Sequence, residues 1–130
     1  MNTKEGFYRP HGIQFLGVPG VDLNSFPLAD YFYEAADFID LILGQGGRVF
    51  VHCVQVGAGN CHKHQDHLSL CYNLQGISRS ATLVLAFLVI KKKIRLEDAI
   101  KSIGVKRSIA PNEGFMLQLI ELNDEVHKLL

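Results

Sequence analysis

Arg48–Cys53 reads RVFVHC, and Gly76–Leu88 reads GISRSATLVLAFL. The first is a β-branched apolar run that stops at His52–Cys53, as a buried strand does. The second is a small-residue turn, Gly76-Ile77-Ser78-Arg79-Ser80, that opens a strongly apolar helical run. Strand, loop and helix N-terminus therefore follow in order, with a cysteine at one lip of the loop and an arginine at the other. A helix N-terminus attracts anions through its unsatisfied amides and its dipole. The site is thus suited to a thiolate at Cys53 and an anionic ligand held by Arg79.

Outward from this stretch the periodicity changes. Ile13–Val18 reads as a short buried strand broken by Pro19-Gly20, and a loop with Val21, Asp22 and Asn24 follows. Pro27 suits the first turn of a helix. Leu28, Tyr31, Phe32, Ala35, Phe38, Ile39 and Ile42 then recur at helical spacing until Gly44, Gly46 and Gly47. Downstream, Arg79–Ile90 is apolar nearly all round and is expected to be buried. Lys91-Lys92-Lys93 places positive charge at its C-terminus. An amphipathic helix is expected over Leu96–Arg107, weakened at Gly104. The last helix begins at Pro111-Asn112 with Asn112 as N-cap, and buries Phe115, Leu119, Leu122, Val126 and Leu129. The fold class is α/β, a parallel sheet flanked by helices. Two visible strands do not make an independently stable parallel sheet, so the sheet is expected to be incomplete.

Bulk properties narrow the functions. The chain has 130 residues, 48% apolar and 20% charged, which fits one domain with a real core. Thirteen basic residues balance thirteen acidic ones, so no global field draws it to nucleic acid or to a membrane surface. The apolar run Ala81–Ile90 is too short to span a bilayer, and the N-terminus has no apolar signal core. Three cysteines form no disulfide framework. A reducing setting is expected, cytoplasmic and also nuclear.

The strings RVFVHC, GISRSATLVLAFL and AIKSIGVKRSIAPNEGFMLQLIELN, with FYRPHGIQFLGVPGVDLNSFPLADYFYEAADFID upstream, resemble the small atypical dual-specificity protein phosphatases of the cysteine-dependent tyrosine phosphatase superfamily. The likeness covers roughly Gly6 to Lys128. It implies a protein tyrosine phosphatase-like fold lacking N-terminal strands, and hydrolysis of phosphotyrosine and phosphoserine/threonine on proteins through a phosphocysteine. It also implies substrates that include mitogen-activated kinases, and no metal or other cofactor. Within it Cys53 is the nucleophile and Arg79 the bidentate phosphate ligand. Ser80 is the hydroxyl that eases departure of the sulfur. Asp22 is the general acid, with Asp30 as the alternative. Gly76, Ile77, Ser78 and Arg79 form the phosphate-binding turn, and Arg107 meets a second substrate phosphate. His52 orders the loop, and Asn112 braces the loops and caps its helix.

The resemblance breaks at one place. The family spaces its cysteine and arginine by five residues, whereas positions 54–78 intervene here. Removing residues 56–75, VGAGNCHKHQDHLSLCYNLQ, leaves HCVQGISRS and restores the spacing. The segment preserves the reading frame. Its first codon can begin GT and its last can be CAG, so the leading reading is a retained intron or an error in the gene's exon assignment. Its Cys61, His62, His64, Asp66, His67 and Cys71 make a zinc site the alternative, although the spacing matches no standard finger. Loop entropy is a small obstacle to catalysis, on the order of 1 kcal/mol for a fourfold longer loop. Convergence of the amides on one phosphate is the demanding requirement. Two rival functions follow: a catalytically inactive phosphatase-like binding protein, and a metal-binding interaction module built on the insert.

Overall fold

Leu28–Tyr31 forms one 3-10 turn behind Pro27 and runs directly into helix α1, Phe32–Gly44. The computed structural model describes residues 9–53, 78–106 and 108–128. Helix α1 buries Phe32, Ala35, Ala36 and Ile39 on one face, continuing the line begun by Leu28. It stops where the spacing expects. Gly46 takes a left-handed φ of 77°, the Gly46 amide donates to Leu43 O (3.1 Å) and the Gly47 amide to Ile42 O (2.9 Å). These two bonds satisfy carbonyls that the helix end would otherwise leave open, in a conformation glycine adopts without steric cost.

Helix α2, Arg79–Lys91, is the centre of the molecule. It packs against α1, against α3 (Leu96–Gly104) and against α4 (Glu113–Lys128). Leu85, Ala86 and Val89 are fully enclosed, and Ala81, Phe87 and Ile90 nearly so. This is the all-round apolar burial expected of the run. The Thr82 hydroxyl donates to Ser78 O at 2.6 Å and tightens the first turn. At the far end Lys91 Nζ lies 2.6 Å from Asp37 Oδ1 on α1, and that hydrogen bond raises the lysine pKa. Lys93 leaves the helix at a left-handed φ of 56°.

Helix α3 ends at Gly104, three residues before the expected Arg107. Glycine costs about 1 kcal/mol in a helix interior. The next residue, Val105, is 86% exposed, so no burial offsets that cost. Arg107 itself lies outside the described residues. The α3 start is capped from α4: Asn123 Oδ1 accepts the Leu96 amide at 2.9 Å.

Helix α4 carries its own cap. Asn112 Oδ1 accepts the Phe115 amide at 2.8 Å, as expected of an N-cap. Phe115, Leu119, Leu122 and Val126 form the buried stripe, and Leu129 lies outside the described residues. Gln118 on this helix holds the chain before α1 at two points. It accepts the Ala29 amide at 2.7 Å and donates to Phe26 O at 2.9 Å.

Neither expected strand forms a ladder among the described residues, where Ile13–Val18 and Arg48–Cys53 carry no strand. A parallel ladder needs a neighbouring run in register, and two short runs alone do not supply one. Arg48–Cys53 nevertheless keeps the side-chain pattern of a strand. Arg48, Phe50 and His52 are exposed, while Val49, Val51 and Cys53 are half-buried, and the two valines pack on the core. That alternation has the period of two that a half-buried strand requires.

Candidate active site

The N-terminus of α2 sends three consecutive side chains in three directions. Ser80 is buried and points to Cys53, with Oγ and Sγ 3.5 Å apart. The thiol donates in its neutral form, and the hydroxyl donates when the sulfur is a thiolate. Arg79 Nη1 donates to Gly20 O at 3.0 Å, which fixes the guanidinium against the loop after residues 13–18. Buried Ser78 donates to Asp22 Oδ1 at 2.8 Å.

Hydrogen-bond directions around Asp22 follow from the backbone. The Asn112 amide donates to Ser78 Oγ at 3.0 Å, so the Ser78 proton is left to point at Asp22. Asn112 Oδ1 is committed to the Phe115 amide, so the opposite side of that carboxamide, Nδ2, faces Asp22 Oδ1 at 2.9 Å. Two donors therefore converge on Asp22 Oδ1. Any proton the carboxyl carries sits on Oδ2, the oxygen left for other chemistry.

Cys53, Arg79 and Ser80 are among the residues that line a cavity of about 1120 Å³. Its remaining walls come from residues 12–20, from 47–52 and from the inner face of α1, including Phe38, Ile39 and Ile42. His52 lies beside Cys53 in sequence but is exposed, its ring stacked on Phe50 with centroids 5.0 Å apart. Partial loss of hydration lowers its pKa below 6.5. The folded state thus resists protonating His52, and the stability present above pH 6.5 falls as pH drops below it. The His52→Gln variant is expected to lose less melting temperature than the parent between about pH 7.5 and pH 5.5. Equal losses in both proteins would remove His52 as the cause.

The structure thus brings together Cys53, Arg79 and Ser80, and joins Asp22, Ser78 and Asn112 into an adjoining network. Asp30, the alternative acid, lies in the 3-10 turn that precedes α1, where its amide donates to Pro27 O at 3.2 Å. Gly76, Ile77, Arg107 and the whole insert 56–75, with its Cys61, His62, His64, Asp66, His67 and Cys71, lie outside the described residues. Among the described residues no three His, Cys, Asp or Glu side chains cluster as a metal site.

Sequence reasoning missed Asn24 and Gly114. Asn24 Oδ1 accepts the Gly114 amide at 3.2 Å. A Cβ on Gly114 would overlap Asn24 O and lie 2.6 Å from its Cα and carbonyl carbon. The glycine was visible in the PNEGF string, but its reason is a segment 90 residues away in sequence.

A cysteine and an arginine thus stand at the N-terminus of α2, with a serine on the sulfur and a carboxylate braced by Ser78 and Asn112. The family described as dual specificity phosphatase, catalytic domain, matches residues 60–125. Dual specificity protein phosphatase 26 of Bos taurus is 39% identical over 117 residues, covering 89% of this chain and 46% of the relative. Its Pongo abelii counterpart is 38% identical over the same length and coverage. The chain belongs to the dual-specificity phosphatase catalytic-domain family, and that membership carries an α/β fold of the tyrosine phosphatase type. It spans just under half the length of the curated relatives it matches.

Proposed function

We propose that this chain hydrolyses phosphate monoesters on phosphotyrosine and phosphoserine/threonine of proteins through a phosphocysteine. The observation that carries this reading is the 3.5 Å contact between Cys53 Sγ and Ser80 Oγ, made across the interruption at 54–78. Contact between the two ends of the interrupted turn favours the enzyme over an inactive binding protein.

The Cys53 thiolate attacks phosphorus in line with the ester oxygen. A new S–P bond forms, the P–O bond to the protein side chain breaks, and the leaving oxygen takes the Asp22 proton. Arg79 spreads the charge of the non-bridging oxygens through its planar fork. Water then gives a proton back to Asp22 and displaces the sulfur, releasing inorganic phosphate. Ser80 donates to the departing thiolate and lowers the barrier for that step. Ser78 holds Asp22 through its hydroxyl, Gly76 and Ile77 contribute to the turn around the phosphate, and Arg107 reaches a second phosphate. No metal or cofactor enters these steps.

In this reading residues 48–53 are a strand of a parallel sheet, as their alternation supports. Mitogen-activated kinases are among its substrates, in the cytoplasm and nucleus. The test is rapid acid quenching during turnover of an aryl phosphate, followed by peptide mass analysis. One phosphoryl group is expected on the peptide containing Cys53. Turnover without phosphocysteine would overturn the mechanism, and a folded chain without turnover would favour the binding protein.

A further inference from the structure

We propose that Asn24 and Gly114 form a clasp that positions Asp22, and that the clasp governs how well the enzyme handles poor leaving groups. The inference rests on the phosphatase reading above. Asp22 and Asn24 are both exposed, on a loop that water could otherwise pull from the body of the protein. The loop's even-numbered residues are bound in turn: Gly20 O by Arg79, Asp22 by Ser78 and Asn112, Asn24 by Gly114, and Phe26 O by Gln118. Two of these partners, Asn112 and Gly114, lie just before and at the start of α4, and Gln118 follows one turn on.

The Asn24 link differs from the others. The first amides of a helix lack intrahelical partners. Asn112 serves the Phe115 amide from within the same segment, whereas the Gly114 amide is served by Asn24 from the loop. Because a side chain at 114 would strike the Asn24 backbone, main chain meets main chain here. Tight turns connect this point to Asp22: the Leu23 amide donates to Val21 O at 2.8 Å and the Phe26 amide to Leu23 O at 3.0 Å. Little slack remains between the clasp and the carboxyl group. The protonated oxygen, Oδ2, must meet the leaving oxygen, and a displacement of about 1 Å costs on the order of a hundredfold in such alignments. Asn24 and Gly114 are positioning residues that act through Asp22.

Leaving-group dependence tests this. A nitrophenolate departs with little help from an acid, while a phenolate needs the proton. For Asn24→Ala, kcat/KM is expected to fall about tenfold more on phenyl phosphate than on nitrophenyl phosphate, a part of the 10²–10⁴ that acid catalysis supplies. Asn24→Asp keeps the acceptor oxygen and is expected to restore the ratio. Amide exchange across residues 21–26 should quicken in Asn24→Ala and not in Asn24→Asp. Equal loss on both esters, or no loss, would overturn the proposal. If the parent chain shows no Cys53-dependent turnover, the phosphatase reading falls and the catalytic part of the proposal with it. Unchanged exchange in Asn24→Ala would then refute the clasp as well.

Discussion

Cys53→Ser is expected to abolish hydrolysis of aryl phosphates, by on the order of 10⁴-fold or more, as loss of a covalent nucleophile does. The substitution changes one atom, sulfur to oxygen, at a half-buried position. The fold and Arg79 should both persist, so the melting temperature should stay within about 1 °C of the parent. What is lost is the reactive anion. A serine hydroxyl is not ionised near neutral pH. Its neighbour Ser80 is a second hydroxyl rather than a base. Steady-state assays with both proteins at equal folded concentration check the effect. Residual turnover above about one hundredth of the parent would mean another group attacks phosphorus, since serine at this position should contribute far less.

Phe115→Ala carries the largest expected effect on stability, about 3–5 kcal/mol. Phe115 is fully enclosed and joins Leu85 and Leu119 in the core cluster. Removing the ring forfeits its transfer from water and leaves a void that helices fixed by several neighbours close only in part. A domain of this size has about 5–15 kcal/mol in total, so the loss takes a third or more of it. The site should suffer as well. The Phe115 amide orients the Asn112 carboxamide, and that carboxamide donates to Asp22. Urea unfolding followed by circular dichroism gives the measurement, with Leu117→Ala as contrast. Leu117 is 62% exposed on the same helix and should cost no more than about 0.5 kcal/mol. A loss below about 1 kcal/mol at Phe115 would show that the core repacks around the gap.

How far these features could be read in advance depends on the range of the force responsible. The apolar run at Arg79–Ile90, the glycines after α1 and the Asn112 cap act within a few residues, and each lies where periodicity and capping rules put it. Gly104 was legible as a weak point. That it ends α3 depends on the absence of burial for Val105, a tertiary fact. The strand runs showed their apolar pattern, yet a ladder depends on partners that no single run encodes. Ser78 was placed by resemblance in the phosphate-binding turn. Its hydroxyl is also engaged between Asp22 and the Asn112 amide, a relation across 56 and 34 residues of sequence. Asn24 gave no sign at all, because an exposed loop asparagine looks the same whether or not a helix amide awaits it.

The fan of side chains at the start of α2 has a bearing on how such a protein can change over evolutionary time. Ser78, Arg79 and Ser80 occupy the N-cap and the first two positions of the helix that also forms the centre of the core. An insertion or deletion of one residue within that helix would rotate the downstream core face by about 100° relative to all three. Reactivity and folding are thus written in the same short string, and neither can drift in register without the other. Length variation is excluded from the helix and must accumulate in the connections around it.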